Sequence, residues 1–186
     1  MTVLKWTCRV AASVLVGASD GNKRLLSDAE VWHFITHGYV LVETELSVGF
    51  NNFIFQEARQ LSLQEGNPGN NIIPRIPGLH TVLQDPHVQG ALESILGPDY
   101  LLHPHRHMHE SFPGKQHQPW HKDSYFQFVQ EHHHVPLWVM ALYYPQDTTL
   151  HIGATGVVPE SQYLNEPPLP HDPTHIVCRA GTVLIK

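Results

Sequence analysis

Cysteine is scarce in this chain. The 186 residues hold two, Cys8 and Cys178, with no partner thiol at zinc-knuckle spacing and no paired framework of the secreted kind. That scarcity excludes haem-attachment and iron–sulfur patterns and with them electron transfer, and it favours a reducing compartment, so the expected location is cytoplasmic. Basic charge is thin as well: 11 Lys and Arg stand against 17 Asp and Glu, a formal net charge of −6. No footprint for a polyanion is visible, and no nucleic-acid partner is expected. No apolar run approaches the roughly 20 residues that cross a bilayer, so no membrane insertion is expected. Lys5 and Arg9 before the apolar run at 10–16 and Gly17-Ala18-Ser19 imitate a secretory leader only faintly.

Hydrophobic residues make up 41% and charged residues 15%, a balance that supports a packed core rather than disorder. The length fits one domain over 1–186. Histidine is the anomaly, at 16 residues. Imidazoles ligate metals and move protons near neutrality, so the composition points to a metal without placing it.

Residues 1–25 read as a flexible lead-in, 26–99 as mostly helical and 100–186 as a β-rich core. Ser27-Asp28-Ala29-Glu30 has the form of a capping box, and Val31, Phe34 and Ile35 share the stripe of a helix that Gly38 ends before the strand Tyr39-Val40-Leu41-Val42. A second helix covers 50–65. A turn-rich loop covers 66–77, and two short helices within 78–97 are divided at Asp85-Pro86, because proline is welcome in a first turn and not in an interior. Short runs at 100–109, 120–129, 135–144, 156–159, 175–178 and 182–185, separated by Pro, Gly and Asp, read as strands. Helices first and strands afterwards suggest a barrel or sandwich with helices packed outside.

On a strand, His121 and Asp123 project to the same side, roughly 6.5–7 Å apart along the backbone. A neutral imidazole with one carboxylate suits a borderline ion such as Fe(II), in the manner of a 2-His-1-carboxylate triad. Tyr125 continues the same row. Downstream, Leu142-Tyr143-Tyr144-Pro145-Gln146-Asp147 and the stretch from Gly153 through Thr155, Gly156, Pro159 and Ser161 to Tyr163 supply the context that an isolated H-x-D lacks.

At these residues the chain resembles the phytanoyl-CoA dioxygenase family of Fe(II)/2-oxoglutarate-dependent oxygenases, with its W-H-x-D strand, G-x-T-x-x-x-P-x-S stretch and G-T-V-x-x strand. Trp120-His121-Lys122-Asp123, Gly153 to Ser161 and Ala180-Gly181-Thr182-Val183-Leu184-Ile185 carry the match, which extends from about Leu26 onward. The resemblance implies a double-stranded β-helix, jelly-roll and cupin-like, mainly β with N-terminal helices. It implies Fe(II) held by His121 and Asp123, 2-oxoglutarate as co-substrate, and hydroxylation of a small organic substrate at an aliphatic carbon. The family's distal histidine, and the arginine that follows it to pair with 2-oxoglutarate, come after the G-T-V-x-x strand. Here that strand is followed only by Lys186, so the expectation is a chain lacking its C-terminal strands, with weak metal binding and an open sheet edge. A catalytically inactive cupin-like binding or structural module is the alternative.

Arg106 and Lys115 are the upstream cations placed to meet a carboxylate, and Arg106 is the one assigned to the co-substrate; Lys115 reads as surface. His171 and His175 are substitutes for the distal ligand, though their Pro-rich surroundings read as loop. His103, His105, His107 and His109 share one strand face, as a second metal site or, preferably, as the lining of a solvated or active-site face. His132-His133-His134 reads as an exposed turn rather than a ligand cluster. Trp120, Tyr125, Trp138, Tyr143 and Tyr144 read as core first and pocket walls second.

Overall fold

The computed structural model describes residues 2–10 by their backbone, together with residues 22–111, 118–121, 138–164 and 173–186. Its first element, strand β1 (Thr2–Val10), falls where the sequence reads as a flexible lead-in. The signal is a period of two: Leu4, Trp6, Cys8 and Val10 alternate with Val3, Lys5, Thr7 and Arg9. Such a strand has no stability alone. It gains pairing from strands far along the chain on both sides.

The capping box at Ser27 is formed, with the Glu30 N–H donating to the Ser27 hydroxyl at 3.4 Å and the Ser27 N–H to the Glu30 carboxylate at 2.8 Å. It opens α1 (Asp28–His37). Gly38 ends the helix at φ 81°, a left-handed conformation glycine adopts without strain. Strand β2 (Val40–Glu43) follows, then α2 (Val48–Glu65), whose cap Ser47 accepts from the Phe50 N–H at 3.1 Å. The loop to 77 carries a 3-10 turn (Gly69–Asn71) and the short helix α3 (Ile72–Arg75), and two helices, α4 (Leu79–Leu83) and α5 (Pro86–Leu96), lie on either side of Asp85 as the proline requires.

Asp85 is buried, and its carboxylate accepts from the His87 and Val88 N–H groups at 3.0 and 3.2 Å and from the Glu45 N–H at 2.9 Å. One side chain thus caps α5 and ties it to the β2–α2 connection. Residues 22–26 run along α5, where Gly90 admits the Arg24 carbonyl; a β-carbon there would stand 2.0 Å from that oxygen. Leu26 N–H donates to Ser94 at 3.0 Å in the same stretch.

The remaining strands are β3 (Tyr100–Glu110), β4 (Trp138–Tyr144), β5 (Gly156–Val157), β6 (Thr174–His175) and β7 (Thr182–Ile185). Among the described residues an antiparallel sheet runs in the order β2-β7-β4-β1-β3, and β5 pairs with β6 separately. Helices and antiparallel strands are both present as expected, with β1 ahead of the helices and β2 between the first two of them. The larger sheet is covered twice. Val139, Ala141 and Tyr143 of β4 join Val183, Ile185 and the helical residues Ile54, Ala58 and Val88 in one core. Met140, Leu142 and Tyr144 join Leu184, Val157 and Ile176 in a second core, on the opposite face, under the β5–β6 pair.

A buried polar link crosses the first core: the Tyr143 hydroxyl donates to Asn51 of α2. Replacing Asp85 by Ala removes a cap and strands three backbone donors. The expected loss is about 2–4 kcal/mol of unfolding free energy, measured by denaturant titration, with an Asn variant retaining part of it.

Candidate functional site

The face of β3 is decided by Leu102 and Met108, which pack in the helix-side core. The alternate positions His103, His105, His107 and His109 therefore take the opposite face, the side on which β5 and β6 lie. All four are half-buried. Their rings meet in series: His105 and His107 at 4.3 Å, His107 and His109 at 6.4 Å, and His103 edge-on to Trp138 at 5.1 Å. The row lies on the sheet face away from the helices, and Trp138 meets it at His103. Tyr143 is core beneath the helices.

The segment after β5 is anchored at the end of α1. A helix leaves its last carbonyls without intrahelical donors, and here the Gln162 amide donates to the carbonyls of Ile35 and Thr36, each at 3.0 Å. The Tyr163 hydroxyl donates to Ile35 as well, and the Glu160 N–H to His37 at 3.3 Å. Glu160 takes φ 66° to make the turn. Gly38 leaves room for this contact, since a β-carbon there would lie 2.5 Å from the Gln162 side-chain oxygen. Sequence reading did not find these residues. Its one available signal was Gly38, which marks carbonyls in need of donors.

The clasp lies just after β5, the strand on which the Trp120 ring rests. The Trp120 ring covers Gly156, where a β-carbon would stand 2.4 Å from the indole. Ser111, at the end of β3, touches Gly153 in the same loop at 3.6 Å from its β-carbon position. His121 is exposed, with Nδ1 2.7 Å from the Pro119 carbonyl. A carbonyl only accepts, so in the neutral ring Nδ1 carries the proton and Nε2 the lone pair, one of the two tautomers in which histidine ligates a metal.

His175 sits on β6 rather than in a loop, in register with Gly156 and therefore on the face of the pair that the Trp120 ring covers. Arg106 faces the helical layer, where Nε and one terminal nitrogen donate to the Asn70 carbonyl at 3.2 and 3.0 Å. To serve a co-substrate carboxylate it would give up both bonds. Asp123, Lys122, Tyr125, Lys115, His171 and His132-His133-His134 lie outside the described residues, as does nearly all of the strand read at 120–129. Among the described residues no group of three His, Cys, Asp or Glu side chains is arranged to hold a metal.

Two other groups on the second core are chemically quiet. Burial pushes the Tyr144 phenol well above its ordinary range; Thr155 pulls the other way but is not placed to make a full hydrogen bond. Burial likewise raises the Cys178 thiol, against weaker opposing contacts from Thr148 and Thr182, which keeps it protonated and poorly nucleophilic.

The family model for phytanoyl-CoA dioxygenase (PhyH) matches residues 57–184, from within α2 through β7. No curated protein and no solved structure gives a significant match to the chain.

His33 stacks on His37 at 4.3 Å and meets Tyr39 edge-on at 5.0 Å, beside the clasp. Burial first, and the neighbouring His37 second, hold its pKa below the ordinary 6.5. Between that lowered value and 6.5 the unfolded chain binds more protons, so stability is full above pH 6.5 and falls as the pH drops through the folded value. Thermal midpoints across pH 5–7.5 should show this slope, flattened in His33→Gln. Gln162→Leu should cost about 1–2 kcal/mol and blue- or red-shift Trp120 emission through the moved loop; an unshifted spectrum would break the link between clasp and Trp120.

Proposed function

Because the chain belongs to the phytanoyl-CoA dioxygenase family, we propose that it is an Fe(II)/2-oxoglutarate-dependent dioxygenase that hydroxylates a small organic substrate on a double-stranded β-helix. Dioxygenase-type chemistry follows from the family. The assignment of metal, co-substrate and fold closure to this chain is our reading. The observation that supports it beside the family match is His121: its Nδ1 lies 2.7 Å from the Pro119 carbonyl, so Nε2 is the nitrogen that would coordinate in this reading, and its neighbour Trp120 packs over Gly156.

In this reading His121 and Asp123 hold Fe(II), and the family pattern places the remaining histidine after the strand that is β7 here. The bound metal supplies activation of dioxygen, with 2-oxoglutarate as the reductant. The residues of this chain supply orientation. Pro119 sets the imidazole tautomer, and the clasp at α1 holds the loop. We place the protein in the cytoplasm with a small-molecule substrate as its partner. No helix among the described residues is long and apolar enough to cross a membrane.

The test is an anaerobic Fe(II) titration, with Co(II) as a spectroscopic substitute, of the native chain and of His121→Ala and Asp123→Ala. Each variant should bind at least about tenfold more weakly, and each should lose 2-oxoglutarate binding with the metal. Unchanged metal affinity in both variants would remove the assignment.

A further inference from the structure

Among the described residues β3 is the long edge of the larger sheet. In the order β2-β7-β4-β1-β3 it has a strand on one side only, and it runs for 11 residues. The opposite edge, β2, has 4 residues, and the His87 Nδ1 lies 2.7 Å from its Glu43 carbonyl. A long unpaired edge offers a row of backbone donors and acceptors to any extended chain, a second copy of the same protein above all.

On β3 that row is taken by side chains. The N–H and C=O of one strand residue point the same way, and alternate residues share the direction. Arg106 and Met108 are two such residues, and neither meets a strand on its outer side. The Asn67 amide donates to the Met108 carbonyl at 2.6 Å, and the Met108 N–H returns a longer bond, 3.4 Å, to the oxygen of the same side chain. The Arg106 N–H donates to the Asn70 side-chain oxygen at 3.1 Å. Asn67 meets residue 108 and Asn70 meets residue 106, the order an antiparallel neighbour would follow. Pro104 comes next in the same series and has no N–H to offer. It lies between the pairs Trp6–Arg106 and Cys8–Leu102, where the register with β1 shifts, and such an irregularity interrupts an edge further.

The segment that supplies the two asparagines is held from both sides. The Asn67 oxygen also accepts from the Gly69 N–H at 3.0 Å, and the Asn71 N–H donates to the Pro68 carbonyl at 3.2 Å, so the turn is braced within itself. From β3, Nε and one terminal nitrogen of Arg106 reach back to the Asn70 carbonyl. Near the end of α2, just before the turn, the Ser62 hydroxyl donates to Glu110 of β3.

We propose that the turn at 67–71 is an edge cover: Asn67 and Asn70 occupy the pairing positions of an absent neighbouring strand, and so keep a second copy of the chain from adding to the sheet at β3. Arg106 is the clamp that holds the cover in place. The proposal is independent of the dioxygenase reading.

The test compares the full native chain with Asn67→Asp, and with Asn67→Ala joined to Asn70→Ala. Sedimentation velocity is run across a range of concentrations, together with hydrogen exchange at the Arg106 and Met108 amides. Aspartate keeps the size of asparagine and an acceptor for the Met108 N–H, but it loses the donor and sets a carboxylate against the Met108 carbonyl. In the native chain both amides should exchange slowly at every concentration. In the dilute double variant both should exchange at least about tenfold faster, and Asn67→Asp should show the same change at Met108. As concentration rises a larger species should form in which these amides are protected again. Asn67→Asp, the milder change, keeps the test decisive where the double variant fails to fold. Asp85→Ala weakens the fold away from β3 and should not associate in this way.

Folded variants that stay monomeric at all concentrations would overturn the proposal. So would assembly in which the Arg106 and Met108 amides remain unprotected, because the contact would then lie elsewhere. Equal association of Asp85→Ala would trace the effect to lost stability and overturn it as well.

Discussion

Strand β4 is buried on both faces, and the two halves of the molecule meet through it. Val139, Ala141 and Tyr143 pack against the helices while Met140, Leu142 and Tyr144 pack under β5 and β6. A strand covered on both sides reads as a continuous apolar run, which is how Trp138-Val139-Met140-Ala141-Leu142-Tyr143-Tyr144 reads. Its polar atoms need partners on each side. The Tyr143 hydroxyl has Asn51, and the Tyr144 hydroxyl stands near Thr155 without a formed bond. Because the strand has no solvent face, neither layer can shift register without disturbing the other.

The second joint between the halves is the docking of residues 160–163 on the last carbonyls of α1. Three donors from one loop answer acceptors that the helix cannot satisfy itself. The loop so held carries β5, Gly156 of β5 carries the Trp120 ring, and Trp120 precedes His121. A capping requirement in the helical half is thereby connected to the position of the candidate ligand. Tautomer control at His121 is more local still, resting on a carbonyl two residues away.

Local rules were legible in the sequence. Ser27 with Glu30, Gly38, and the break at Asp85-Pro86 each obey a short-range constraint that the structure satisfies. Strand parity put the β3 histidines on one face and Leu102 and Met108 on the other, and the helix-side core holds Leu102 and Met108. What was not legible depends on distance along the chain. Strand β1 carries a clean alternation, but its partners begin about ninety residues later and the leader-like run after it drew the reading away. Gln162 and Tyr163 look like ordinary loop residues until the end of α1 is beside them. His175 has proline two residues before it, which suggests loop, whereas pairing with Gly156 makes it strand. Asp123 lies outside the described residues, and its pairing with His121 rests on the strand spacing and the family pattern.

The central claim is that His121 presents Nε2 to a metal, and nitrogen-15 NMR of the imidazole tests it most directly. The account predicts that in the metal-free chain His121 is the Nδ1–H tautomer, and that a diamagnetic divalent ion such as Zn(II) perturbs its Nε2 before any other histidine nitrogen, an effect lost in Asp123→Ala. An Nε2–H tautomer, or a first response at other histidines with His121 silent, would contradict it.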